Sequence, residues 1–377
     1  MEQTDRKYSK LKTPNNVSTV AKTNQRLESF KEQIAADDFS PIKTIQVDAS
    51  QNEEIVLLVL NDLHIGSPGC NIDKILRALK EVKHIPNAYI ILNGDLMNNA
   101  NNIGKSSPLE NDLSPMNEQK IIHTIFSDPI LKNKIICSTS GNHESGARAK
   151  DSGLDSLGTP MASLGLLEKY ARYMAQIVVK VKCPFTQSGT ANCRILVRHG
   201  TGMGGKSGAI LDKMFNMLRE FGNYDVIFQG HTHKNLMSTD DQVVQNGKYS
   251  TIKKPVSVIN VPAFEEASQY AMEVAMPAPN TDNSFYCIKA VTNLDALDSY
   301  LNDGYNVLPY TFVVDTVSLD RPELVKLGEL NFDTIIDEEK IERAVDNLAN
   351  KTIKKAKRPK SKKTNDDIVE DENGKEA

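Results

Sequence analysis

The chain has 377 residues, 39% hydrophobic and 25% charged, with a net charge of −4 and a pI near 6.0. That balance excludes a whole-chain attraction to nucleic acid or to an anionic membrane, and no run of 18 apolar residues supplies a membrane-crossing helix. The start, MEQTDRKYSK, has no apolar stretch behind its charges, and the five cysteines contain no CxxC, so a reduced cytoplasmic protein with no membrane partner is expected.

Residues 1–52 form a polar arm, rich in Lys, Thr, Asn and Gln, with one helix near Gln25–Ala36. The expected domain runs over 53–320. It opens on Ile55–Leu60 (IVLLVL), a continuous apolar run of the kind a strand buried on both faces needs. A helix over Asp73–Val82 follows, with Ile75, Leu76, Leu79 and Val82 on one face. Next come a strand at Ala88–Leu92, a helix at Pro115–Phe126 and a strand at Lys134–Ser138. Strands and crossover helices at this spacing indicate an α/β sheet. The second half is less regular: a helix at Leu164–Met174, a hairpin of Ala175–Val181 with Cys193–Arg198, a helix at Lys206–Phe221 and a strand at Asp225–Gln229. Cys183 and Cys193 could face each other across that hairpin, although free thiols suit the compartment better. Val256–Val261, Phe285–Ala290 and Tyr310–Val317 are β-rich. A helical extension over 321–350 carries Ile341, Ala344, Val345 and Leu348 on one face, and 351–377 is a basic, then acidic, tail.

Chemistry concentrates where these strands end. Asp62-Leu63-His64, Gly94-Asp95, Gly141-Asn142-His143-Glu144, His199-Gly200 and Gly230-His231-Thr232-His233 each follow a predicted strand. In open α/β sheets the ligand crevice lies outside the carboxyl ends of the strands, so these segments should converge on one rim. Asp, Asn and His are donors suited to Mn, Fe or Zn. Seven candidate ligands are too many for one tetrahedral ion, but they fill two sites that share a carboxylate. Paired metals suit in-line phosphoryl displacement.

The ordered set DLH, GD, GNHE, HG and GHTH resembles the calcineurin-like metallophosphoesterase superfamily. The resemblance covers Ile55 to about Val317. It implies two packed mixed β-sheets flanked by helices, in four layers. It implies two divalent metal ions, Mn before Fe or Zn, and a phosphoester substrate attacked by a metal-bridging hydroxide. By motif position, Asp62, His64 and His233 would bind the first metal and Asn142, His199 and His231 the second, with Asp95 bridging. His143 would be the non-ligand histidine that assists the leaving oxygen. One position departs from the pattern. The family's protein phosphatases carry Asp three residues beyond the bridging Asp, then Arg, and its repair exonucleases also carry an acid there. This chain has Asn98 in GDLMNN. The missing Arg favours a phosphodiesterase, including a nuclease, over a phosphomonoesterase or nucleotide hydrolase.

A second class of function competes. Gly200–Ser207 (GTGMGGKS) satisfies GxxxxGK[ST], follows a strand and opens a helix, as a nucleotide-binding P-loop would. Against it, Asp225 precedes its strand instead of ending it, no acid ends the next strand, and the loop begins at His199. Lys206 then reads as a phosphate contact beside the metals, with Asn98 a second substrate contact and Ser207 the helix cap. His84 and His123 belong to helices, and Glu144 either orients its neighbours or faces solvent. Lys351–Lys363 holds eight basic residues and no acid, a possible nucleic-acid partner site through phosphate charge.

Overall fold

Strand β2, Glu54–Leu60, is buried from Ile55 to its end because both of its faces are covered. The two-residue period of a strand sends Val56, Leu58 and Leu60 into one hydrophobic cluster and Ile55, Leu57 and Val59 into another. A continuous apolar run is therefore the sequence of a central strand between two packed layers.

The computed structural model describes residues 42–101, 111–145, 155–202, 206–246, 250–266, 285–292 and 310–317. The helices expected near Gln25–Ala36 and Ile341–Leu348, the basic block Lys351–Lys363 and the acidic tail lie outside the described residues. In chain order the elements are β1 (Ile42–Ala49), β2, α1 (Ile72–His84), β3 (Ala88–Asn93), α2 (Pro115–Phe126), α3 (Pro129–Lys134), β4 (Ile135–Thr139), α4 (Asn142–Ser145) and α5 (Gly158–Ser163). A 3-10 turn at Leu167–Lys169 leads to β5 (Tyr170–Ala171), β6 (Met174–Lys182), β7 (Thr190–Arg198), α6 (Ser207–Phe221), β8 (Val226–Gln229), β9 (Leu236–Asn246), β10 (Ser250–Asn260), β11 (Phe285–Thr292) and β12 (Tyr310–Thr316).

These strands form two mixed six-stranded sheets, in the orders β1-β6-β7-β8-β10-β9 and β12-β11-β2-β3-β4-β5. β2, β3, β4 and β5 run parallel, as do β7, β8 and β10. The sheets pack face to face. Ile55, Leu57 and Val59 of the second sheet share a core with Ile177, Val179, Ile195, Val197 and Phe228 of the first. On the far side of the second sheet, α1 buries Ile75, Leu76, Ala78, Leu79 and Val82, and α2 buries Ile121, Ile122, Ile125 and Phe126. On the far side of the first sheet, Ile210, Met214, Met217 and Leu218 of α6 pack over Leu196, Ile227, Val256 and Val258. The result is the four-layer α/β arrangement expected from the motifs. Among the described residues no helix is long and apolar enough to cross a membrane.

Two expectations are corrected. Ile42–Ala49 is not part of a loose arm: it pairs in parallel with β6 along its full length, from Ile42 opposite Met174 to Ala49 opposite Val181. Its composition hides it, because only Ile45 and Ala49 of the strand are buried. Leu164–Met174 is not one helix. α5 stops at Ser163, and Gly165, at φ +69°, turns the chain so that the Leu166 N–H reaches Met161 O at 2.8 Å. Tyr170 and Ala171 then pair with Ser138 and Thr139. Sheet pairing thus wins over a helical apolar pattern. Cys183 and Cys193 are both free thiols, and Cys193 lies opposite Val179 in the β6–β7 hairpin.

Candidate metal centre

The segments that follow β2, β3, β4, β7 and β8 meet at one rim. Three groups of donors lie with their ligand atoms within 4.8 Å of one another: Asp62, His64 and His233; His64, Asp95 and His143; Asp95, His199 and His231. Six of the seven expected metal ligands are therefore brought together, with His143 among them. The seventh, Asn142, opens α4 beside His143 and is exposed.

The backbone that makes this possible is unusual. Asp62, His64, Asp95, Asn99, His231 and His233 all have positive φ, between 45° and 72°. Asp, Asn and His tolerate the left-handed region better than most residues. Five of these residues, all but Asn99, carry side chains of the donor groups. The loops are laced together by the Asp62 N–H to Gly94 O at 3.1 Å, His64 N–H to Asp95 O at 3.0 Å and Gly230 N–H to His199 O at 2.9 Å. Gly94 is required here: its φ is +77°, and a Cβ would sit 2.6 Å from Gly141 N and 2.8 Å from His199 Nδ1.

Each carboxylate spends one oxygen on its own scaffold. Asp62 Oδ2 accepts the His231 N–H at 2.9 Å and the Asn61 side-chain amide. Asp95 Oδ1 accepts the His143 N–H at 2.8 Å. The other oxygens face imidazoles. Asp95 Oδ2 is 3.0 Å from His199 Nε2, and Asp62 Oδ1 is 3.3 Å from His233 Nε2 and 3.7 Å from His199 Nε2. His199 is oriented from behind, its Nδ1 2.9 Å from Asn93 O. That contact makes Nδ1 the donor and leaves Nε2 of the neutral ring as the nitrogen with the lone pair a cation would need.

Charge balance follows from burial. Burial opposes the charged form of His64, but Glu265, Asp62 and Asp95 outweigh it and raise the imidazole to about 10. His199 is raised to about 9 against the same burial penalty, chiefly by Asp95 and Asp62. His231 is lowered, first by burial and then by His199. Burial also penalises the Asp62 and Asp95 carboxylates, yet the surrounding histidines hold both below the usual carboxylate range. The site is therefore built around carboxylates that call for positive charge.

His143 stands at the edge of the group. Its Nδ1 is 2.7 Å from the backbone O of Asn98, and its Nε2 is 4.0 Å from Asp95 Oδ2. The Asn98 side chain, expected to contact substrate, donates to Asn111 Oδ1 at 2.7 Å. Lys206 is exposed and occupies the N-cap position of α6 with no side-chain cap, so Ser207 is the first helical residue and not the cap. No contact joins Lys206 to the donor cluster among the described residues, and positions 203–205 of the glycine-rich loop lie outside them. Asp225 sits at the start of β8, where it pairs with Lys254 at 2.8 Å.

Two buried glutamates organise the rim, and neither is among the ligands expected from the motifs. Glu144 accepts the backbone N–H groups of Asp95, Leu96, Met97 and Gly141 at 2.6–3.1 Å. Burial and then Asp95 push its carboxyl up to about 7, against those four donors. The solvent-facing alternative for Glu144 is thus replaced by a fully buried one. Glu118 of α2 accepts the Asn99 N–H at 2.7 Å and the Asn111 side chain at 2.7 Å. The GNHE motif signals Glu144. Nothing local signals Glu118, whose partner Asn99 lies in a different loop.

The donors fit divalent cations. Among the described residues, Asp62 Oδ1, His64 Nε2 and His199 Nε2 are buried and have no hydrogen-bond partner. A native fold leaves few such groups without a reason, and here they converge on common points. Residues 55–235 match the sequence profile of the calcineurin-like phosphoesterases. No curated protein matches the chain significantly. The family binds two divalent metals. With the donor cluster and the sheet order, residues 55–235 are identified as a domain of the calcineurin-like metallophosphoesterase superfamily, the metal-dependent phosphoester hydrolases.

Proposed function

We propose that the protein is a two-metal phosphodiesterase that takes nucleic acid among its substrates. Asp62, His64 and His233 would hold one cation, and Asn142, His199 and His231 the other, with Asp95 shared; Mn suits this donor set best. When bound, the two cations supply electrophilic activation of the phosphoryl group and acidify water. His143 is assigned to the leaving oxygen. With Nδ1 donating to the Asn98 carbonyl, Nε2 is the ring atom assigned to carry a proton towards substrate. Asn93 and Glu144 keep His199 and the Asp95 loop in place.

The observation that carries the diester reading is the buried amide at position 98. An Asn–Asn hydrogen bond stands where the phosphatases place an acid followed by Arg. A diester bears one negative charge and a monoester close to two near neutral pH, so a site without that Arg suits the diester better. Nucleic-acid contact through Lys351–Lys363 extends the same proposal, as does the division into a domain ending near residue 320, an extension over 321–350 and a charged tail.

The test is a substrate comparison with Mn added. Bis(p-nitrophenyl) phosphate and single-stranded DNA should be cleaved faster than p-nitrophenyl phosphate, and a chelator should stop all three reactions. Faster monoester hydrolysis would reverse the substrate class. His231→Ala should cost far more activity than Lys206→Ala. The opposite order would support nucleotide binding at Gly200–Ser207 instead of the metal reading.

A further inference from the structure

Glu265 lies five residues past the end of β10, is 5% exposed, and belongs to none of the sequence motifs. Its position is tightly determined. Its backbone N–H donates to Asp62 O at 3.0 Å, and the residue forms an isolated antiparallel bridge with Cys70. Oε1 accepts the Ser67 hydroxyl at 2.6 Å. Ser67 is itself tied to the metal loop, since its N–H donates to His64 O at 2.8 Å. These contacts leave Oε2 directed at His64, 3.8 Å from Nε2.

The same nitrogen is 3.7 Å from Asp62 Oδ1 and 4.0 Å from Asp95 Oδ2. His64 is 5% exposed, and neither of its ring nitrogens has a hydrogen-bond partner among the described residues. A buried, unpartnered imidazole thus points into a space bounded by three carboxylates. Three such anions held out of water repel one another unless cations lie among them. Two of the three are the expected ligands. Glu265 is the one that the family's motifs do not account for.

Resting on the two-metal reading above, we propose that Glu265 is a positioning carboxylate of the metal centre, which strengthens retention of the cation held by Asp62, His64 and His233. Glu265 falls outside the groups of donors that lie within 4.8 Å of one another. Its contribution is therefore negative charge and the placement of His64, not a further direct bond to the ion. It also couples the loop after β10 to the loop after β2, so that the first sheet helps to hold a ligand carried by the second.

The experiment measures Mn binding to the full chain by calorimetry, with metal content by elemental analysis. The wild type should bind two ions. Glu265→Gln preserves shape and removes charge. It should weaken one of the two sites by about 10–100-fold, the usual effect of losing an outer partner of a metal ligand, and leave the other unchanged. Glu265→Asp should recover part of the loss, and Ser67→Ala should weaken the same site less. Unaltered affinity at both sites in Glu265→Gln would overturn the inference while leaving the two-metal reading intact. Fewer than two ions on the wild type would overturn both. Thermal melts of the metal-free proteins complete the test: equal melting of wild type and Glu265→Gln supports a metal-directed role, and a large drop in the variant would make the residue structural.

Discussion

Six non-glycine residues in the left-handed region at one rim are a cost that the rest of the fold must cover. Such positions run to roughly 1–3 kcal/mol each, and five of the six here are expected metal ligands. The cost is offset locally by hydrogen bonds such as those from four backbone amides to Glu144. The members of the donor cluster were legible in the sequence because Asp and His recur in short motifs after strands. The strain was not legible, because φ depends on how the loops meet. Nor were Glu118 and Glu265, whose partners lie in other loops. The charge balance at this scale leads to a pH prediction. In the metal-free protein His64 is raised to about 10 and His199 to about 9. Both folded values exceed the ordinary histidine value near 6.5. Their contribution to stability is then fully present below about 6.5 and is lost as pH rises through 9–10. Metal ligation needs neutral imidazoles, so cations compete with these protons. Mn affinity should rise with pH from 6.5 to 9. Calorimetry at pH 7.5 in buffers of different ionisation enthalpy should detect proton release on binding. Binding with no proton release would contradict the ligand assignment for these two histidines.

At the scale of elements, helices were read well where an apolar face and a start signal coincided. α2 begins at Pro115 after Ser114 and ends at Phe126, as the pattern implied. Periodicity failed at Leu164–Met174, where a glycine turn and two residues of strand interrupt it, and at β1, where an edge strand needs little apolar surface. α3 is a six-residue helix that would not persist alone. It is held by Asp128, which accepts the N–H groups of Ile130 and Leu131 at 3.0 Å each. The same side chain pairs with Lys83 of α1 at 2.8 Å, where the Lys83 side chain is only 5% exposed. One aspartate therefore caps one helix and pins it to another. Asp128→Ala should lower stability by about 2–3 kcal/mol, combining a lost cap with a lost charge-assisted hydrogen bond. Asp128→Asn should keep the cap and lose only the ion pair, at about half that cost. Urea denaturation separates the two, and equal losses in both variants would show that the cap contributes nothing.

At the scale of the whole molecule, the sheet-on-sheet core is what brings two sets of strand ends to one rim. Asp62, His64, Asp95 and His143 follow strands of one sheet, while His199, His231 and His233 follow strands of the other, so two of the three donor groups draw on both sheets. A shift between the sheets would move ligands apart before it disturbed either sheet. Packing in the intersheet core is therefore tied to the geometry of the donor cluster, and that core contains Tyr286 of β11. Its ring packs 5.1 Å from that of Phe228, across the interface. Its hydroxyl is buried and has no hydrogen-bond partner among the described residues, and burial pushes its pKa up. A buried hydroxyl with no partner carries a desolvation penalty that an apolar ring of the same shape does not. Tyr286→Phe should therefore stabilise the protein by about 1 kcal/mol, raising the melting temperature by roughly 2–4 °C for a domain of this size. Because the ring keeps its place between the sheets, the two Mn affinities should be unchanged. A lower melting temperature would mean that the hydroxyl is hydrogen-bonded in solution, and a loss of Mn affinity at constant stability would mean that Tyr286 sets the spacing of the sheets through its polar end.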